Sequence, residues 1–228
     1  ARPAQTLDDI VARRVAVLTD YQDAAYADRY RRLVERVRTI EGEKAGAGST
    51  RLAAAVARNY FKLLAHKDEY EVARLYTDPA FWDRVHGTFE GDFEVRFHLA
   101  APLVARPDPN TGRIAKRSFG AGMMRVFRLL ARLKGLRGTR WDVFGYTAER
   151  RAERALIEQY EHDVADLLET LSWDRLGQAV DIACLPEEIR GFGHVKAHNM
   201  QAVATKREHL LTAWRQHATP AAAIRSAA

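Results

Sequence analysis

With 228 residues, 47% hydrophobic and 29% charged, the chain has the make-up of a soluble globular protein, long enough to bury a sizeable core as one domain or two small ones. No apolar run approaches the roughly 20 residues of a membrane-spanning helix, and the single Cys184 excludes an intrachain disulfide or an all-cysteine metal or iron–sulfur site. The net charge of +6 is modest but unevenly spread: residues 113–154 hold twelve lysines and arginines against Asp142, Glu149 and Glu153.

The opening ARPAQTLDDI has neither an apolar signal core nor an initiating Met, as expected of a fragment, a processed chain or a trimmed one. The lone cysteine fits a reducing, cytoplasmic setting. Thr6, with Asp9 three residues on, has the form of a capping box. No Gly or Pro interrupts 7–41, and Tyr26, Tyr30, Leu33, Val34 and Val37 follow a helical period. That predicts one long helix or two abutting ones. GEKAGAGS (42–49) reads as a loop, because glycine weakens a helix. Leu52, Ala55, Val56, Tyr60, Leu63 and Leu64 then line one face of a helix over 51–66. A short helix over 68–76 follows, with Asp68 placed to cap it, and DPAFWDRV starts another with Asp78 as N-cap and Pro79 at the first helical position.

The period changes at GDFEVRFHLA, where Phe93, Val95, Phe97 and Leu99 alternate with Glu94, Arg96 and His98, as in a half-buried strand. The turn cluster DPNTG (108–112), flanked by PLVA and RIAKRSF, predicts a hairpin and a small antiparallel sheet. Helices resume with AGMMRVFRLLARLKG, which stops at Gly135, and with a long apolar stripe capped by Thr147. Ser172 is placed to cap a helix over 173–184, and a last helix covers about 194–215. The expected class is mainly α (α+β), a multi-helix domain with a small antiparallel β insertion at 92–118. Helical parts lie at 1–91 and 119–217, and an Ala-rich flexible tail at 218–228.

PEEIRGFGHVKAHN (186–199) concentrates glycine, histidine and basic residues. It lacks the preceding strand and the Lys-Ser/Thr pair of a phosphate loop, so it reads first as a helix–helix joint, with Gly191 as cap, Phe192 plugged into the core and Gly193 allowing close approach. The joint leaves Arg190, His194 and Lys196 near a helix N-terminus as candidate anion or ligand contacts. His194 and His198, four apart, share a helix face, but two ligands do not make a metal site. Arg125, Arg128, Arg132, Lys134 and Arg137 alternate with apolar residues in RVFRLLARLKGLRGTR, a basic amphipathic helix suited to docking an acidic protein or a phosphate-bearing ligand. A solvated face paired with neighbouring carboxylates is the plainer reading, and no nucleic-acid-reading motif accompanies the charge. No G-x-S-x-G, H-E-x-x-H or G-x-G-x-x-G occurs, so spacing alone shows no self-contained active site.

Six stretches occur in order: YQDAAYADRYRRLVERVR (21–38), YFKLLAHKDEYEVARLYTD (60–78), FHLAAPLVARPDPNTG (97–112), RLLARLKGLRGT (128–139), FGYTAERRAERALI (144–157) and PEEIRGFGHVK (186–196). As a set, from about residue 6 to 214, they resemble the C-terminal region of the long, fused bacterial indolepyruvate ferredoxin oxidoreductases. The resemblance implies a parent enzyme that oxidatively decarboxylates aryl 2-oxo acids to acyl-CoA and passes electrons to ferredoxin. Thiamine diphosphate, Mg and iron–sulfur clusters would sit in its other domains, with none in this chain. It also implies a domain inactive alone, with the parent's remaining domains, ferredoxin, CoA and a second parent copy as candidate partners. A stand-alone basic module for an acidic protein or nucleic acid is the alternative.

Overall fold

The computed structural model describes residues 5–99, 117–191 and 194–217, with the backbone alone for Arg117, His194 and His217. In chain order the helices are α1 (Leu7–Tyr21), α2 (Ala24–Lys44), α3 (Arg51–Leu64), α4 (Glu69–Thr77), α5 (Pro79–Thr88), α6 (Met123–Arg132), α7 (Ala148–Glu169), α8 (Leu176–Ala183) and α9 (His194–His217). Strands β1 (Phe97–Leu99) and β2 (Arg117–Phe119) lie between α5 and α6 in the chain. The architecture is mainly α with one small antiparallel sheet. No helix among the described residues is long and apolar enough to cross a membrane.

The chain divides into two compact units. One joins the residues up to His66 with those from Phe144 onward, and the other runs from Lys67 to Val143. The sheet shares the smaller unit with α4, α5 and α6. The reason is packing, since α4 lies against α6 and the strand residue Phe97 packs with Ala73 of α4 and Phe127 of α6.

In the larger unit, Thr6 and Asp9 form the expected capping box. The segment after it is two helices, because Asp23 is extended and its carboxylate accepts from the Tyr26 N–H at 2.8 Å, starting α2 afresh. α2 then runs through Gly42 to Lys44, beyond the expected loop start, and of the glycines in this stretch Gly46 and Gly48, not Gly42, take positive φ. Glu41 accounts for this extension. It is fully buried, and its carboxylate accepts from Ser49 Oγ at 2.7 Å and from the Leu52 and Ala53 N–H groups at 3.0 and 2.9 Å. The last turn of α2 thus caps α3, whose own N-cap Thr50 makes no side-chain capping bond.

Around α3 the core of this unit gathers Leu52, Val56 and Leu64 with Leu167, Leu176 and Trp214. Through it runs a stack of three phenols, Tyr30–Tyr60–Tyr160, with successive centroids 6.0 Å apart and planes within 18°. Each hydroxyl finds a partner: Tyr30 donates to Ala57 O, Tyr160 to Ala183 O and Tyr60 to Glu161. Burying a tyrosine is favourable only when its O–H is satisfied in this way.

In the smaller unit Asp68 caps α4 by accepting from Glu71 N–H at 2.8 Å, and Asp78 with Pro79 starts α5, both as expected. The regular strand begins later than the alternation suggests: among the described residues Phe97, His98 and Leu99 pair, opposite Phe119, Ser118 and Arg117, and 93–96 do not. The DPNTG turn lies outside the described residues. The core here is small: Ala73, Phe97 and Phe127 are buried, and the rings of Tyr76, Phe97 and Phe127 meet with centroids 5.1–5.2 Å apart.

Candidate functional site

The 186–199 stretch is a joint. A 3-10 turn at Leu185–Glu188 contains Pro186, Gly191 has φ +89°, and α9 begins at His194. A Cβ on Gly191 would meet Val195 Cγ1 at 2.7 Å, so this turn requires glycine on both grounds. Phe192 and Gly193 lie outside the described residues, as does the His194 side chain.

Lys196 stands one turn into α9 beside Glu153 of α7, a carboxylate only 5% exposed. Arg150 Nη1 reaches the same carboxylate at 2.5 Å and His66 Nε2 at 3.5 Å. Burial pushes the Glu153 carboxyl up, but the charges of His66, Lys196 and Arg150 outweigh it and hold the carboxyl below its ordinary value. Three cationic or ionisable side chains thus converge on one buried anion, so the ammonium of Lys196 already has an internal counter-ion. Arg190 is exposed and its Nε donates to Glu187 O at 3.0 Å. Nearby, Lys62 Nζ donates to Pro186 O at 2.7 Å and tethers the joint to α3. Its ammonium is held below the usual lysine value by burial and by the charges of Arg190 and Lys196.

His198 is exposed on α9. Among the described residues, no group of three or more His, Cys, Asp or Glu is arranged to hold a metal ion. Cys184 is half-buried, and burial raises its thiol further from the thiolate form a nucleophile or metal ligand needs. Other polar groups of the larger unit are locked in pairs. Arg29 grips Glu161 through two bonds of 2.6 and 2.8 Å, and the same carboxylate accepts from Tyr60. Arg207 binds Asp163 through two nitrogens. None of these donor sets fits thiamine diphosphate, Mg or an iron–sulfur cluster.

The basic stretch separates into two kinds of residue. Arg125, Arg128 and Arg132 are exposed along α6, and among the described residues none of the three makes an ion pair. Val126 and Leu129, 45% and 59% exposed, lie between them, while Phe127 points into the core. Lys134 is half-buried in the 3-10 turn Leu133–Leu136 that follows.

Arg137 is not part of that face. It is buried, binds Asp68 through Nε at 2.5 Å and Nη2 at 2.9 Å, and lies over the Tyr70 ring at 5.5 Å. Tyr70 in turn donates to Asp142 at 3.2 Å, and Asp142 also accepts from Gly138 N–H at 2.9 Å. The stretch KDEYE (67–71), through Asp68 and Tyr70, is therefore the structural anchor of the smaller unit. Sequence reasoning missed this anchor, because Asp68 and Arg137 lie 69 positions apart.

The profile of a family described as "Family of unknown function (DUF6537)" matches residues 7–209. No curated protein matches the chain, and no solved structure does.

Proposed function

The chain belongs to the DUF6537 family, and from that premise we propose that it is an accessory domain of a 2-oxo acid:ferredoxin oxidoreductase, a partner-docking and scaffolding element without catalytic groups of its own. The resemblance of the ordered set of motifs to the C-terminal region of the fused indolepyruvate enzymes supports the parent reaction, oxidative decarboxylation of an aryl 2-oxo acid to acyl-CoA. Thiamine diphosphate, Mg and iron–sulfur clusters belong in this reading to the rest of the enzyme, and the setting is cytoplasmic.

One observation carries the docking role. Arg137, buried, and Lys196 and Arg207, partly buried, each hold a buried carboxylate, whereas Arg125, Arg128 and Arg132 present uncompensated charge around exposed Val126 and Leu129. A solvated stripe of this kind costs the fold little and attracts an acidic surface over a Debye length of about 8–10 Å. Ferredoxin, as electron acceptor, is the acidic partner proposed for it.

The stand-alone reading uses the same stripe, with an acidic protein or nucleic acid as partner. It predicts salt-dependent binding of the isolated chain to polyanions.

The test is a deletion in the parent enzyme, assayed for 2-oxo acid- and CoA-dependent reduction of ferredoxin and of a small artificial acceptor. Loss with ferredoxin alone is the expected result. Loss with both would make the domain a scaffold or lid for the thiamine site, and loss with neither would refute the accessory role.

A further inference from the structure

The smaller unit carries a second feature, independent of the α6 stripe. A cleft of about 430 Å³ is lined by residues of α5, of the segment entering β1 and of the start of α6. That volume lies within the usual range for small-molecule sites.

Three rings follow one another along it. Trp82 and His86 have centroids 6.0 Å apart with planes tilted 40°, and His86 and Phe93 are 5.6 Å apart and tilted 48°. The indole is pre-set, because its Nε1–H donates to Tyr76 O at 2.8 Å. Met124 of α6 and buried Phe97 extend the apolar lining.

The charged residues among those lining the cleft are both acidic, Asp92 and Glu94. Asp92 is exposed, and among the described residues Glu94 pairs with Arg96 at 3.1 Å, a solvent-exposed contact that screens it weakly. In a chain of net charge +6, the cleft is a local inversion of sign. Anions, the 2-oxo acids of the proposed parent included, are repelled from it.

Aromatic faces with carboxylates beside them attract cations, and mutually inclined rings form a concave partial cage. Such a cage suits a rounded ammonium better than a planar guanidinium, which stacks best against a parallel wall. We propose that this cleft binds a small alkylated ammonium ion, its charge set against the rings of Trp82 and Phe93 and balanced by Asp92 and Glu94.

Methionine-methyl NMR of the full chain tests this directly, because Met124 lines the cleft and Met200 lies on α9 in the other unit as an internal control. Choline is the probe, and its neutral carbon isostere 3,3-dimethylbutan-1-ol is the comparison. Choline should shift the Met124 resonance saturably, with a dissociation constant on the order of millimolar, and leave Met200 unmoved. The isostere should bind about tenfold more weakly, and Asp92→Asn and Glu94→Gln should each weaken choline about fivefold. Both carboxylates are exposed, so these variants keep the fold. Trp82→Phe supplies a second readout, weakening choline more than the isostere. Equal shifts from choline and the isostere would overturn the proposal, as would an unmoved Met124 at ~50 mM choline or indifference to both carboxylate substitutions. None of these outcomes bears on the α6 docking reading, which rests on other residues and another partner.

Discussion

The two units handle charge differently, although both expose large apolar side chains, Tyr146 and Trp173 in the larger one. The larger one holds carboxylates in buried or partly buried ion pairs, Glu153 with Arg150 and Lys196, Glu161 with Arg29, Asp163 with Arg207, and satisfies fully buried Glu41 with neutral donors. Among the described residues the smaller unit buries the Asp68–Arg137 pair and partly buries Glu71 with Arg74, and it leaves the arginines of α6 in the open. Phe89, Trp141 and Val143 are each more than half exposed there, as is Leu129 between the arginines of α6. Buried pairs fix structure, since desolvated charges tolerate little rearrangement; exposed mixed surfaces are where a partner finds purchase. In the proposed accessory role, the larger unit is the scaffold and the smaller one the recognition element.

The sharpest way to break this contrast is Glu153→Ala, which strands Arg150 and Lys196 against a buried void. It should destabilise the fold by about 3–5 kcal/mol in denaturant titrations. The same site gives a pH signature. The Glu153 carboxyl is depressed in the folded state relative to its ordinary 4.5, so its contribution is fully present above that value and is lost as pH falls through the depressed one. Acid titration of the Glu153→Gln variant should show a shallower loss of stability below about pH 4.5 than wild type.

Next in size is Arg137→Gln, expected to cost about 3 kcal/mol by leaving Asp68 buried and unbalanced. An equal response from Arg137 and the α6 arginines would erase the distinction between anchor and stripe. Gly191→Ala should cost about 1–2 kcal/mol from the positive φ and the close Val195 methyl, read as a drop in melting temperature. Smallest is the combined Arg125→Gln, Arg128→Gln, Arg132→Gln variant, whose stability should stay within about 0.5 kcal/mol of wild type. Hydrogen exchange sharpens the comparison without mutation: amides of α3 should be far better protected than those of α5, which has no buried residue.

How legible these features were in the sequence depends on how local they are. The caps at Thr6, Asp68, Asp78 and Thr147 were readable because the cap and the amide it serves lie two or three residues apart. Ser172 followed the same pattern without making the bond, and a 3-10 turn at Trp173–Arg175 leads into α8 instead. The continuation of α2 past Gly42 was hidden, because what holds it is Glu41 reaching across to the amides of α3. The strand alternation overshot, since a period of two reports which faces are apolar and not where a partner strand ends.

For the candidate sites the limit is sharper still. Arg128 and Arg137 look alike in the sequence, and only a carboxylate 69 positions from Arg137 makes one structural and leaves the other free. Lys196 is likewise decided by Glu153, 43 positions away. Basic composition was visible; which cations were already neutralised was not.

The most direct test of the central claim combines the three α6 substitutions in the parent enzyme and follows ferredoxin reduction across a salt series. The account predicts a rise of about tenfold in KM for ferredoxin at low ionic strength, converging with wild type as salt increases, and unchanged turnover with a small artificial acceptor. An unchanged KM for ferredoxin at low salt, in a variant that remains as stable as wild type, would contradict it.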